Sequence, residues 1–256
     1  DPFGRPPAWE GGFSGVRRSP PPGSDEEARW HALKGACKQH VQTALVLIGT
    51  NAEWFEYASD VLKRDERVAL LAVRSGGHVL QFASESLRND ESLVWTAVRQ
   101  NANALAYATE RLRRDDSLVR YATSHSCIVL HFMPSDVRNN KEIVLHAVQA
   151  SGYSLACASE DLQDNKDVVL AAVKKHGGAL YHASHRLRDD MDVVLAAVHS
   201  SGCALEEASH RLRADKEVVR AAVRSHCDAF MNVYRIFRED KDVVRAAVRG
   251  DGRLLE

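Results

Sequence analysis

The chain has 256 residues, 45% hydrophobic and 27% charged, with 34 Lys and Arg against 35 Asp and Glu. A charge so close to zero removes the electrostatic reason to expect nucleic acid or an anionic membrane surface. The longest apolar run, Thr43 to Ile48, is far too short to cross a bilayer. The five cysteines (Cys37, Cys127, Cys157, Cys203 and Cys227) form no Cys-x-x-Cys pair, which argues for reduced thiols rather than a disulfide framework or zinc ribbon.

Residues 1–23 hold six of the seven prolines with glycine spacing, a composition that cannot bury a core and reads as an extended tail. Its aromatic residues, Phe3, Trp9 and Phe13, are candidate anchors for a partner. The first residue is Asp1 rather than Met, which is compatible with a cleaved targeting peptide. An organellar location, chloroplast or mitochondrion after removal of a targeting peptide, is the expectation, and otherwise the cytoplasm. Ser24-x-x-Glu27 is a capping box that opens a helix over 24–39, expected to cap whatever follows.

From residue 40 onward the chain repeats every 25 residues without insertion or deletion. Full repeats start at 40, 65, 90, 115, 140, 165, 190 and 215, and a partial one starts at 240. Counting from the Asp or Asn that opens most of them, position 8 is Ala from Ala72 to Ala247. Position 16 is Leu or Phe throughout, and position 24 is basic except at Gln163. Apolar positions 4, 5, 8 and 9 mark one helical face. Positions 16, 19, 20 and 23 (Leu180, Ala183, Ser184 and Leu187 in one copy) mark another. Asp or Asn at position 1 caps the first helix. Gly at position 13 (Gly77, Gly152, Gly177, Gly202 and Gly252) is expected to break the chain between the two. The fold class is therefore all-α: a right-handed α/α solenoid of 25-residue helical hairpins over 40–256. Helices of about ten residues are too short to stand alone in water and must stack. Pro134, at position 20, is expected to kink its hairpin. Glu256 falls inside a second helix, so further chain or a covering partner is expected beyond it.

At 100° per residue position 18 lies opposite the buried stripe of the second helix. Four repeats place Tyr57, Phe82, Tyr107 and Phe132 there, with Ile128 and Tyr153 beside them. An exposed aromatic ladder of this kind is a candidate partner-binding strip. Met231, Tyr234 and Phe237 form a secondary patch in a segment apolar nearly all round, for which a bulky seal against the next repeat is the plainer reading. Arg220 with Arg224, and Arg245 with Arg249, are basic pairs spaced for one helix face, read here as a solvated face offset by neighbouring acids. His182, His185 and His210 are the only histidines whose spacing suggests a shared metal, and chance proximity on a helical surface explains them as well. No nucleophile with its base, no paired acids and no phosphate-binding glycine loop stands out, so no catalytic residue, cofactor or metal is assigned.

The pattern Asp-x-x-Val-Val-Leu-Ala-Ala-Val, then Gly, then Ala-Leu-x-x-Ala-Ser-x-x-Leu-Arg is clearest over Lys166 to Asp189 and Met191 to Ala214. It resembles the tandem repeats of domain of unknown function 4116, a family of algae, other protists and some intracellular bacteria. The resemblance implies helical repeats and an interaction role by analogy, with no activity, substrate or catalytic residue. The repeats from Asp115 (Thr123, Cys127, Met133, Pro134) and Asp215 (Phe230, Val233, Tyr234, Phe237) depart from the pattern most. The expected function is a non-enzymatic protein-binding scaffold, an accessory or linker subunit of a larger, organellar assembly, with one or more proteins as partners. An RNA-binding helical repeat is the first alternative, although the aromatics stop halfway along the chain and acids match bases in number. An effector-type bacterial interaction module is the second.

Overall fold

The computed structural model describes residues 41–225 and 240–250, together with the single residue Ala28; side chains of the last helix are described as far as Arg245. The expected tail over 1–23, the rest of the capping helix over 24–39, the second half of the repeat from 215 and residues 251–256 lie outside them. Every regular element described is helical. The chain divides into two compact units, residues 1–100 and 101–256. The first carries the ten-residue helices α1 (Val41–Thr50), α2 (Glu66–Ser75) and α3 (Glu91–Gln100). The second carries α4 (Asp116–His125), α5 (Lys141–Ala150), α6 (Lys166–Lys175), α7 (Met191–Ser200), α8 (Lys216–Ser225) and α9 (Lys241–Gly250). Within each unit successive helices of this series pack side by side.

Each helix starts where the repeat predicts. The side chain of Asp65, Asp115, Asn140, Asn165, Asp190, Asp215 or Asp240 accepts one or two backbone N–H groups of the first turn. This satisfies donors that an open helix end leaves orphaned. Positions 4, 5, 8 and 9 are then buried in every copy from 65 to 215, for example Val168, Val169, Ala172 and Val173, while at these positions in the copy from 40 only Ala44 and Ile48 are buried. Alanine at position 8 (Ala72, Ala97, Ala122, Ala147, Ala172, Ala197 and Ala222) is fully buried each time, the small side chain that lets adjacent helices approach.

The second half of the repeat differs from the expected single helix. Position 12 is extended, with φ between −144° and −161°, and donates its N–H to the carbonyl of position 8. A 3-10 helix then runs through positions 13–18, as in Gly77–Phe82, Gly152–Cys157, Gly177–His182 and Gly202–Glu207. Positions 19 and 20 are extended (Ala183 ψ 154°, Ser184 ψ 157°), and a one-turn helix follows over positions 21–24, such as His185–Arg188. The repeat is thus one α-helix and two short helical segments, not a two-helix hairpin. Position 20 accordingly leaves the core. Ser159, Ser184 and Ser209 cap the short helix, their hydroxyls accepting the N–H of Leu162, Leu187 and Leu212. Position 15 takes a core place instead, with Val79, Ala104, Val129, Ala179 and Ala204 buried.

Position 20 also forms a joint between repeats. The N–H of Ser84 donates to the carbonyl of Lys63, Ser159 to Arg138, Ser184 to Gln163 and Ser209 to Arg188, at 2.9–3.0 Å. Pro134 occupies this position with φ −55° and ψ 155°, a backbone that proline adopts without strain. The expected kink does not arise, because the residue lies in the extended step and caps the helix Ser135–Arg138. What proline removes is the donor of one inter-repeat hydrogen bond. The glycine at position 13 has another role than the expected break. A β-carbon on Gly152 would stand 2.4 Å from the carbonyl oxygen of Ala172, and one on Gly177 2.4 Å from that of Ala197. Glycine there allows the 3-10 segment of one repeat to lie against the α-helix of the next.

Candidate functional site

In a 3-10 helix each residue advances by 120°, so position 18 does not point away from the buried positions as α-helical counting implied. Tyr57 and Phe82 in the first unit, and Tyr107 and Phe132 in the second, each end a 3-10 segment and are half-buried. Cys157, His182 and Glu207 at the same position are half-buried too, so the side chains of this ladder are partly covered rather than fully exposed. Partial burial, followed by the charges of Glu56 and Glu53, raises the phenol pKa of Tyr57. Tyr153 does reach the surface, at 48% exposure. Its ring stacks on His176 of the next repeat at 5.0 Å between centroids, and Nδ1 of His176 accepts the N–H of Gly152 at 3.0 Å. Position 14 makes comparable joints elsewhere. His78 pairs with Glu53 at 2.6 Å in the first unit, and Asn103 accepts from the Ser126 hydroxyl at 2.8 Å in the second.

The remaining candidates fall differently. Phe3, Trp9, Phe13, Met231, Tyr234 and Phe237 lie outside the described residues. His182 is half-buried, and burial holds its pKa down, whereas His185 and His210 sit exposed at the starts of short helices. Among the described residues no three His, Cys, Asp or Glu side chains are grouped to hold a metal ion, and no helix is long and apolar enough to cross a membrane. Cys127 and Cys157 are free thiols, half-buried, and Cys203 is exposed; burial, then the neighbouring Cys127, pushes the Cys157 thiol pKa up.

Charged side chains concentrate at the joints. Asp164 accepts from the Ser184 hydroxyl and from Arg186 Nε, and Asp189 accepts likewise from Ser209 and Arg211. The serine hydrogen bond and then the arginine hold both carboxyls below the ordinary carboxylate range. At the joint between the repeats from 90 and 115 the polarity is reversed, with Arg114 Nε donating to Asp136 at 2.8 Å. Along the helix starts, Lys141 reaches Asp167, Lys166 reaches Asp190 and Asp192, and Lys216 reaches Asp240 and Asp242, all at 2.7–2.9 Å.

A further surface was not anticipated. Position 6 of the α-helix carries Leu45, Leu70 and Trp95 in the first unit, and Leu145, Leu170 and Leu195 on adjacent helices of the second. All are half-buried, outside the complete buried stripe of positions 4, 5, 8 and 9. Val46 beside them is 68% exposed. Arg99 lies 5.5 Å from the Trp95 ring centroid, a cation–π contact. In the second unit the leucines give way to Arg220, and the crease between α7 and α8 is lined by Leu195, His199, Glu217, Arg220, Ala221 and Arg224.

The model of the family described as Domain of unknown function (DUF4116) matches residues 65–113, 115–163, 165–213, 192–238 and 215–256. The chain belongs to this family. No curated protein and no solved structure matches it significantly. The first three DUF4116 matches begin at 65, 115 and 165, so one family segment spans two 25-residue repeats. The match from 215 continues that series, whereas the match from 192 starts about one 25-residue copy after 165, which identifies the 25-residue copy as the structural repeat. The position-6 strip of these DUF4116 repeats was legible in principle: a fifth apolar position beyond the four that fill the stripe is surplus to packing. The two-part second half also had a signal, since Ser followed by Glu or Asp, as in Ser84-Glu85 and Ser159-Glu160, is a helix start rather than a helix interior.

Proposed function

We propose that the chain is a non-enzymatic protein-binding scaffold, an accessory or linker subunit of a larger assembly, the family's algal and protist distribution favouring an organellar one. The observation that carries this reading is the division of labour within the repeat. Recurring residues occupy the core and the joints, while the ten-residue helices keep apolar side chains at position 6 that stay half-exposed beside the buried stripe. Apolar side chains repeated on a solvent face are characteristic of interaction surfaces, and stacked repeats display them at regular intervals over several helices. The test is purification of the chain with its native complex and identification of what comes with it. A stoichiometric protein partner is expected. Recovery of the chain alone, or with RNA that nuclease removes, would overturn the scaffold reading and favour a nucleic-acid one.

A further inference from the structure

We infer that the outer face of α6, α7 and α8 binds an acidic peptide segment of a protein partner, with apolar side chains on Leu170 and Leu195 and carboxylates on Arg220 and Arg224. This rests on the scaffold reading and names the surface and the chemistry it takes. The first observation is shape. Between α7 and α8 runs an open groove of about 410 Å³, lined by Leu195 and Ala221 together with His199, Glu217, Arg220 and Arg224. That volume lies within the usual range of small-ligand clefts. Leu145 and Leu170 hold the same half-buried position on α5 and α6.

The second observation is where the counter-charges go. Asp167, Asp190, Asp192, Asp240 and Asp242 are engaged by the lysines at the helix starts, and Arg120 is engaged by Asp116 and Glu142. Among the described residues no carboxylate lies within ion-pair distance of Lys174, Arg220 or Arg224. The expected offset by neighbouring acids is thus not made by direct ion pairs at Arg220 or Arg224, although Glu217 lines the same groove. Basic residues at position 10, Lys174, His199 and Arg224, are partly explained by the helix C-terminus, where cations are favoured. Arg220 is not: it stands in mid-helix, where the three preceding repeats have leucine, and is half-buried.

The acids that do share this face select the kind of partner. Glu142, Asp167, Asp192 and Glu217, at position 3, are all exposed. Glu142, Asp167 and Asp192 are paired with Arg120, Lys141 and Lys166, whereas Glu217 forms no ion pair among the described residues. Its charge beside Arg220 disfavours the continuous charge of a nucleic-acid backbone there, but leaves room for a peptide whose charges are discrete. A segment with an aspartate or glutamate one helical turn from a large apolar side chain meets each feature: carboxylate on Arg220 and Arg224, apolar group on Leu195, and nothing acidic over Glu217. Paired guanidinium–carboxylate contacts supply orientation, and the leucines supply buried area.

The experiment selects a display library of random 12-residue peptides on the full chain and measures the winners by fluorescence polarisation. Enriched peptides pairing an acid with a large apolar residue are expected, with affinity that falls as salt rises. R220E/R224E should weaken them at least about tenfold, as should the uncharged L170N/L195N, while Tyr181→Ser on another face leaves binding unchanged. R220Q/R224Q, which adds no repulsion, serves if the charge reversal fails to fold, and amide exchange of the wild-type complex should show protection over 191–225. No enrichment, acid-free winners, or unaltered binding by a folded arginine variant would overturn the groove. A native protein partner held equally well by that variant would do so too while leaving the scaffold reading intact; absence of any protein partner defeats the scaffold reading itself.

Discussion

Replacing Gly177 by alanine tests the close approach on which the stacking depends. The new β-carbon would stand 2.4 Å from the Ala197 carbonyl oxygen and 2.9 Å from both the β-carbon and the backbone nitrogen of Ser201. Real β-carbons essentially never come within 3.0 Å, so two backbones must part by about 0.6 Å, the difference between 3.0 and 2.4 Å, at the least. A gap of 0.5–1 Å forfeits roughly a quarter to a half of the dispersion energy of each contact it opens. Overpacking of this kind costs about 1–3 kcal/mol, and alanine returns about 0.4–1 kcal/mol by restricting the unfolded chain. The expected net loss is about 1–2 kcal/mol. Ala52, Ala102 and Cys127 occupy the equivalent position, so the fold itself tolerates the methyl; the cost at 177 is that of parting repeats packed at glycine spacing. The control is Gly178→Ala, whose β-carbon meets only the Tyr153 side chain, nearest at 3.3 Å. Urea unfolding followed by circular dichroism, with amide exchange over 177–201, reads both variants. Equal stability of Gly177→Ala and wild type, or an equal loss in Gly178→Ala, would refute the argument.

Ser154 is fully buried with an unpaired hydroxyl at the position where the repeats on either side carry Val129 and Ala179. Ser154→Ala should therefore raise stability by about 1 kcal/mol in the same urea assay. Peptide mapping after brief maleimide treatment at pH 7.5 should find exposed Cys203 labelled well ahead of Cys157, whose thiol burial holds in the protonated, unreactive form. Asp164 and Asp189 have carboxyl pKa values depressed in the fold, first by their serine partners and then by arginine. Their contribution to stability is present above the ordinary carboxylate pKa of about 4 and lost as pH falls through the lower folded values. D164N/D189N should lower the urea midpoint at pH 7, and the gap from wild type should shrink by pH 3.

The first helix of each repeat was legible because three independent signals agree: Asp or Asn at position 1, the stripe at positions 4, 5, 8 and 9, and alanine at position 8. The second half was not, because positions 16, 19 and 23 have a spacing that suits a 3-10 segment followed by one helical turn as well as a continuous α-helix. Ser184 looked like a small core residue when read by period alone, and is a cap. Tyr57, Phe82, Tyr107 and Phe132 were placed by an angle that holds for α-helices, so the candidate strip moved with the secondary structure. Arg220 and Arg224 were visible as a pair, but their lack of direct ion pairs depends on lysines 26 residues away from the acids they hold, as Lys216 is from Asp242, which spacing within one repeat does not show.

The reversed polarity at one joint bears on how such a chain can change by recombination. Repeats of equal length invite duplication and exchange, since any copy can be spliced in frame beside any other. Here the splice is constrained by charge. The repeat from 115 presents Asp136 to its predecessor, and the repeat from 165 presents Asp189 to its successor. Placed in succession they would set two carboxylates against each other where each now meets arginine. Copies of nearly the same core are therefore not electrostatically equivalent at their ends, and some orders of repeats are disfavoured where like charges meet.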